Sequence, residues 1–128
     1  MSSNTTTGTT PNPSLQRLHV AARYSEAAIF NGVVYLAGMV PECEAQDIGS
    51  QTRDVLRQVA QRLLEAGSDK TRILRTQIYL RDIQDIGAMN DVWDAWVVAG
   101  TAPPRATVQA ALANPDWRIE VVVTAAQI

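Results

Sequence analysis

An α+β fold, with two helices covering one face of a mixed sheet, is the class this sequence predicts, and three observations predict it. Two apolar runs, residues 27–30 and 33–37, flank Asn31-Gly32, the strongest two-residue signal for an antiparallel hairpin. Val55, Leu56, Val59, Ala60, Leu63 and Leu64 recur at helical spacing and mark an amphipathic helix over residues 48–66. In the last segment Ile119, Val121, Val123 and Ala125 alternate with Arg118, Glu120, Val122, Thr124 and Ala126, the period of a strand.

The elements follow in chain order. Residues 17–21 form a short strand before the hairpin, and residues 41–47 are polar and irregular. In the first helix Arg53, Asp54, Arg57, Gln58, Gln61, Arg62 and Glu65 make the wet face, and Gly67 supplies the C-terminal stop. Residues 73–80 alternate Thr76, Ile78 and Leu80 with Arg75, Gln77 and Tyr79, so the sheet continues. Asp82 or Asp85 caps a second helix with Ile86, Met89, Trp93, Trp96 and Val97 on one stripe, ending at Gly100 before Pro103-Pro104. Strands over 105–112 and 118–126 follow, joined through Asn114-Pro115-Asp116. The last strand turns apolar on both faces after Glu120, and two helices cover only one face, so the other is expected to meet a second copy of the chain.

Composition narrows the function. The 128 residues fit one domain, expected over 15–128, behind a tail of residues 1–14. That tail has almost no large apolar side chain and is expected to be disordered. A net charge of −2 lacks the basic footprint of nucleic-acid binding, and no apolar run approaches a membrane span. With neither a signal core nor a transit peptide, the expected location is the cytoplasm. Cys43, the only cysteine, lies between Glu42 and Glu44 and reads as a loop thiol, and with His19 the only histidine no metal is expected.

Two charges stand apart from helices and turns. Arg105 opens a strand directly after two prolines of restricted φ, and Glu120 sits between Ile119 and Val121. A charge embedded in such strands is paired, exposed or in use. A rigidly held guanidinium suits a small carboxylate, and a partly desolvated glutamate suits positioning or deprotonating a water. The plain alternative is that Arg105 and Glu120 form a structural ion pair or lie on a solvated sheet face, since the register of the last two strands does not follow from the sequence.

The run Pro103-Pro104-Arg105-Ala106-Thr107-Val108, with Glu120 in the last strand, resembles the signature of the Rid family, formerly YjgF-like, the reactive intermediate or imine deaminases. Tyr24-Ser25-Glu26 is similar to the family's Tyr-Ser-Gln segment, Leu36-Ala37-Gly38-Met39-Val40-Pro41 to its strand and Gly-x-x-Pro turn, and Met89-Asn90-Asp91-Val92-Trp93 to its second-helix Asn motif. The resemblance spans residues 15–128. Trp93-Asp94-Ala95-Trp96-Val97, Thr107-Val108-Gln109-Ala110 and Asn114-Pro115 make it most similar to the YoaB-like branch.

The resemblance implies a homotrimer of chorismate-mutase-like subunits with a small site in each cleft between neighbours, and no cofactor. It implies hydrolysis of enamines and imines such as 2-aminoacrylate and 2-iminobutanoate to 2-oxo acids and ammonia. Arg105 would hold the substrate carboxylate and Glu120 would orient the attacking water. The Gly38 N–H and the Thr107 carbonyl would line the site, and Tyr24 and Asn90 would shape it. Ala37 and Thr107 depart from the Ser and Cys common among deaminating members, which bears on substrate choice. The alternative function is a non-catalytic trimer that binds 2-oxo acids or related small carboxylates. Ribonuclease activity, also attached to the family, is disfavoured because the basic residues are dispersed and no His pair exists. Chorismate mutase activity does not follow from a shared fold.

Overall fold

The computed structural model of the chain describes residues 14–128; the tail expected to be disordered lies, except for Ser14, outside the described residues. Strands β1 (Gln16–Val20), β2 (Ser25–Phe30) and β3 (Val33–Leu36) form an antiparallel meander. The β2–β3 turn is the expected Asn31-Gly32 pair, both residues at positive φ of 54° and 75°. Helix α1 (Ile48–Glu65) follows, with Asp47 accepting the Ser50 N–H at 2.8 Å as its N-cap. Strand β4 (Ile73–Leu80), helix α2 (Ile86–Trp96), strand β5 (Arg105–Gln109) and strand β6 (Ile119–Ala126) complete the fold.

The sheet order is β1-β2-β3-β6-β4-β5, so the last strand lies in the middle and joins the meander to β4 and β5. β4 and β5 are parallel, which the crossover through α2 permits, and every other pairing is antiparallel. Inward residues of the sheet, among them Val34, Leu36, Ile78, Leu80, Val121 and Val123, pack against Val55, Leu56, Val59, Leu63 and Met89 of the helices, all buried. Burying each such side chain contributes roughly 1.5–3 kcal/mol.

Among the described residues nothing covers the opposite face. On it lie Phe30, Tyr35, Val108, Val122 and Tyr79; Tyr35 is 50% exposed and Val108 44%.

Three details differ from the sequence-based expectation. α2 stops at Trp96, because the β-branched Val97 is extended (ψ 145°) and a turn closed by Thr101 N–H on the Val98 carbonyl follows. β5 stops at Gln109, because its parallel partner β4 ends at Leu80, whose carbonyl takes the Ala110 N–H at 3.0 Å. Asp54 and Gln58 are not solvated: Gln58 donates to the Val40 carbonyl at 2.9 Å, and Asp54 accepts the Glu42 and Cys43 N–H groups at 2.6 and 3.3 Å. Both tie down the loop that leaves β3, whose backbone donors and acceptors need partners.

Candidate functional site

Arg105 owes its place to the prolines before it and to the parallel ladder. The Pro104 carbonyl takes the Thr76 N–H at 2.9 Å, and Arg105 stands opposite Thr76, on the helix-covered side of the sheet. Its guanidinium lies over the Trp93 indole, with Cζ 5.1 Å from the ring centroid. Among the described residues no carboxylate pairs with it. Thr107 shares this side, opposite Ile78, and Asn90 lies three residues before Trp93, on the same stripe of α2. Asn90 Oδ1 and Thr107 Oγ1 are buried without a hydrogen-bond partner, an expense proteins seldom leave standing. Arg105 and Thr107 thus share the helix-side face of β5, and Arg105 reaches α2 at Trp93, one turn from Asn90.

Glu120 lies on the other side. It stands opposite Tyr79, on the uncovered face, in a depression of about 300 Å³ with Tyr79, Leu112 and Val122. The Met39–Val121 bridge, with reciprocal N–H···O bonds of 2.8 and 3.0 Å, lays Gly38 beside Glu120. A Cβ at Gly38 would fall inside the contact radius of Glu120 Oε2, so the approach requires glycine. Tyr24, 59% exposed, closes the β1–β2 turn through its carbonyl and the Ala21 N–H. The Ala37 N–H on the Glu26 carbonyl aligns the start of β2 with Gly38, so Tyr24 lies at the same end of the sheet as Glu120.

The six residues therefore form two groups, Arg105, Thr107 and Asn90 on the helix-covered side and Glu120 with Gly38 on the other, with Tyr24 at the same end of the sheet as Glu120. Arg105 and Glu120 are two strands apart and three register positions apart along them. At the usual spacings that is roughly 14 Å between backbones, with side chains pointing to opposite faces. Among the described residues the two form no ion pair, and their side chains leave the sheet on opposite sides.

Other polar contacts hold these groups in place. Arg118, at the foot of β6, grips Asp85 just before α2, with Nη2 2.9 Å from both carboxylate oxygens, and so ties Glu120's strand to Asn90's helix. Burial opposes ionisation of Asp54, yet the Glu42 N–H, the Arg57 guanidinium and the other donors hold its carboxyl below the ordinary value. A depression of about 550 Å³ between α1 and α2 is lined by Leu56, Val92, Ala95, Trp96, Arg53 and Asp91 among others and contains none of the six.

A profile of the family described as Endoribonuclease L-PSP matches residues 14–127. The chain belongs to this family. The RutC family protein YoaB of Escherichia coli is 46% identical over 110 residues, covering 86% of this chain and 96% of that protein. A crystal structure of a YjgF family member from Neisseria meningitidis superposes with a TM-score of 0.90 at 47% identity, covering 92% of this chain and 98% of that one. The expected Rid, or YjgF-like, family and its YoaB-like branch are borne out, and the fold is the chorismate-mutase-like α+β fold of YjgF proteins. A more distant relative, 26% identical over 110 residues, with 81% and 80% covered, is the rat 2-iminobutanoate/2-iminopropanoate deaminase.

The contact of this Rid-type chain that sequence reasoning missed is Trp93 beneath Arg105. Both tryptophans stand on the apolar stripe of α2, and Trp93 is only 6% exposed. The signal present was its spacing of three from Asn90, the helix-motif residue already singled out.

Proposed function

We propose that the chain hydrolyses small reactive 2-imino acids and their enamines, of the 2-iminobutanoate and 2-aminoacrylate type, to 2-oxo acids and ammonia. The site is shared between two copies of a homotrimer: Arg105, Thr107 and Asn90 come from one copy and Glu120, Gly38 and Tyr24 from the next. The observation that carries this reading is the split itself, an arginine that pairs with no acid among the described residues on the helix-covered side, and an acid beside a glycine on the other face. The named activity of the rat relative supports the reaction class.

The chemistry needs little more. Arg105 binds the substrate carboxylate, and an N–H of the substrate has Asn90 Oδ1 and Thr107 Oγ1 as open acceptors. Glu120 takes a proton from water as its oxygen bonds to the C=N carbon, giving a tetrahedral carbinolamine. Returning that proton to nitrogen makes ammonia the leaving group; as the C–N bond breaks, the regenerated Glu120 carboxylate takes the hydroxyl proton, the carbonyl forms, and ammonia carries that proton away as ammonium. The iminium carbon is already electrophilic, so orientation and one proton shuttle supply the acceleration.

The test is release of ammonia and 2-oxo acid from 2-iminobutanoate and 2-iminopropanoate generated in situ. Wild type should accelerate release above the blank, and Arg105→Ala and Glu120→Gln should return it to the blank. A wild type equal to the blank that still binds 2-oxobutanoate through Arg105 would instead support the carboxylate-binding module.

A further inference from the structure

An arginine that must seize a carboxylate from water has to be held still without being neutralised. A partner carboxylate would hold it, but would also occupy the donors the substrate needs. The Arg105 guanidinium instead lies over the Trp93 ring at 5.1 Å, and among the described residues no acid pairs with it. An aromatic face attracts the cation through its quadrupole and leaves the N–H donors at the guanidinium edge free.

Trp93 is itself immobilised. It is 6% exposed and packs on Trp96, ring centroids 5.6 Å apart and planes tilted by 42°. Trp96 in turn carries Lys70 on its ring, Nζ 5.1 Å from the centroid, and the same Nζ donates to the Trp96 carbonyl at 2.7 Å. The series Lys70, Trp96, Trp93, Arg105 thus runs from the turn before β4, through α2, to the first residue of β5.

We propose that Trp93 is the positioning residue of Arg105, holding the guanidinium oriented for the substrate carboxylate with its donors free, with Trp96 and Lys70 as its brace. The proposal rests on the reading of Arg105 as the carboxylate anchor. Its consequence is selective: loss of the indole face weakens binding and leaves the proton transfers at Glu120, on the other face and in the proposed assembly on another copy, unchanged.

The experiment uses the full chain and the variants Trp93→Phe and Trp93→Leu. It measures KM and kcat on 2-iminobutanoate, Kd for 2-oxobutanoate, and the side-chain NMR signals of Arg105, assigned by their loss in Arg105→Lys. Wild type should show Arg105 side-chain protons shifted upfield by the indole ring current. Trp93→Leu should abolish that shift and raise KM and Kd about tenfold with kcat nearly unchanged, and Trp93→Phe should recover most of the affinity. Unshifted Arg105 signals in wild type overturn the proposal whether or not the variants fold. So does a folded Trp93→Leu with unchanged KM, or a loss confined to kcat. A wild type that shows the ring-current shift but neither hydrolyses the imine nor binds 2-oxobutanoate overturns the carboxylate anchor itself, a different result from an active wild type with indifferent Trp93 variants.

Discussion

In the proposed reaction Glu120 and Arg105 have separable tasks. Arg105→Ala should weaken 2-oxobutanoate binding about 10- to 100-fold, the range for a hydrogen-bonded charge, as read by titration calorimetry. Glu120→Gln should lower kcat by about two to three orders of magnitude while binding of the same ligand stays close to wild type. Gly38→Ala should behave like Glu120→Gln in kinetics yet keep the wild-type thermal midpoint, because the clash is with the mobile end of one side chain. Equal kcat for Gly38→Ala and wild type would detach Gly38 from the site. Both charges were legible in the sequence as groups misplaced in strands. Their opposition was not, because the face Arg105 takes depends on the parallel register with β4, a pairing between distant segments that no local pattern records.

Among the elements, the Arg118–Asp85 pair joins β6 to α2 with side chains 28% and 14% exposed. Partial exposure screens it, so Arg118→Ala should cost about 1–3 kcal/mol, seen as a lower urea midpoint at constant slope. The Asp54 carboxyl, held below its ordinary value of 3.8, stabilises the loop after β3. A folded-state value below the unfolded one gives stability that is present above about pH 4 and lost as pH falls through the folded value. Wild type should therefore lose stability more steeply than Asp54→Asn below that pH in acid titrations followed by circular dichroism. The hairpin and α1 were readable because turn chemistry and helical periodicity are local. The inward turn of Asp54 and Gln58 was not, since the loop carbonyl and N–H groups that recruit them come from residues 40–43, more than two helical turns away in sequence.

At the scale of the whole molecule, the proposed shared site requires a second copy on the sheet face that the helices leave open. The apolar residues on both faces of the last strand are the sequence signal for such an interface, whereas the placing of Arg105 and Glu120 on opposite faces follows only from the sheet order. A Val122→Asp substitution places a charge in the middle of the uncovered face, without touching the helix-side core. It should convert a species of about three times 13.9 kDa into monomer by light scattering, and abolish turnover with the helical signal retained. The most direct test of the shared site is complementation, in which Arg105→Ala and Glu120→Gln chains, each inactive alone, are co-expressed and purified together. Random assembly of a cyclic trimer places an intact Arg105 beside a neighbour's intact Glu120 at roughly a quarter of the sites. Recovery of about that fraction of wild-type turnover is the predicted result; mixed assemblies as inactive as either parent would contradict a site shared between copies.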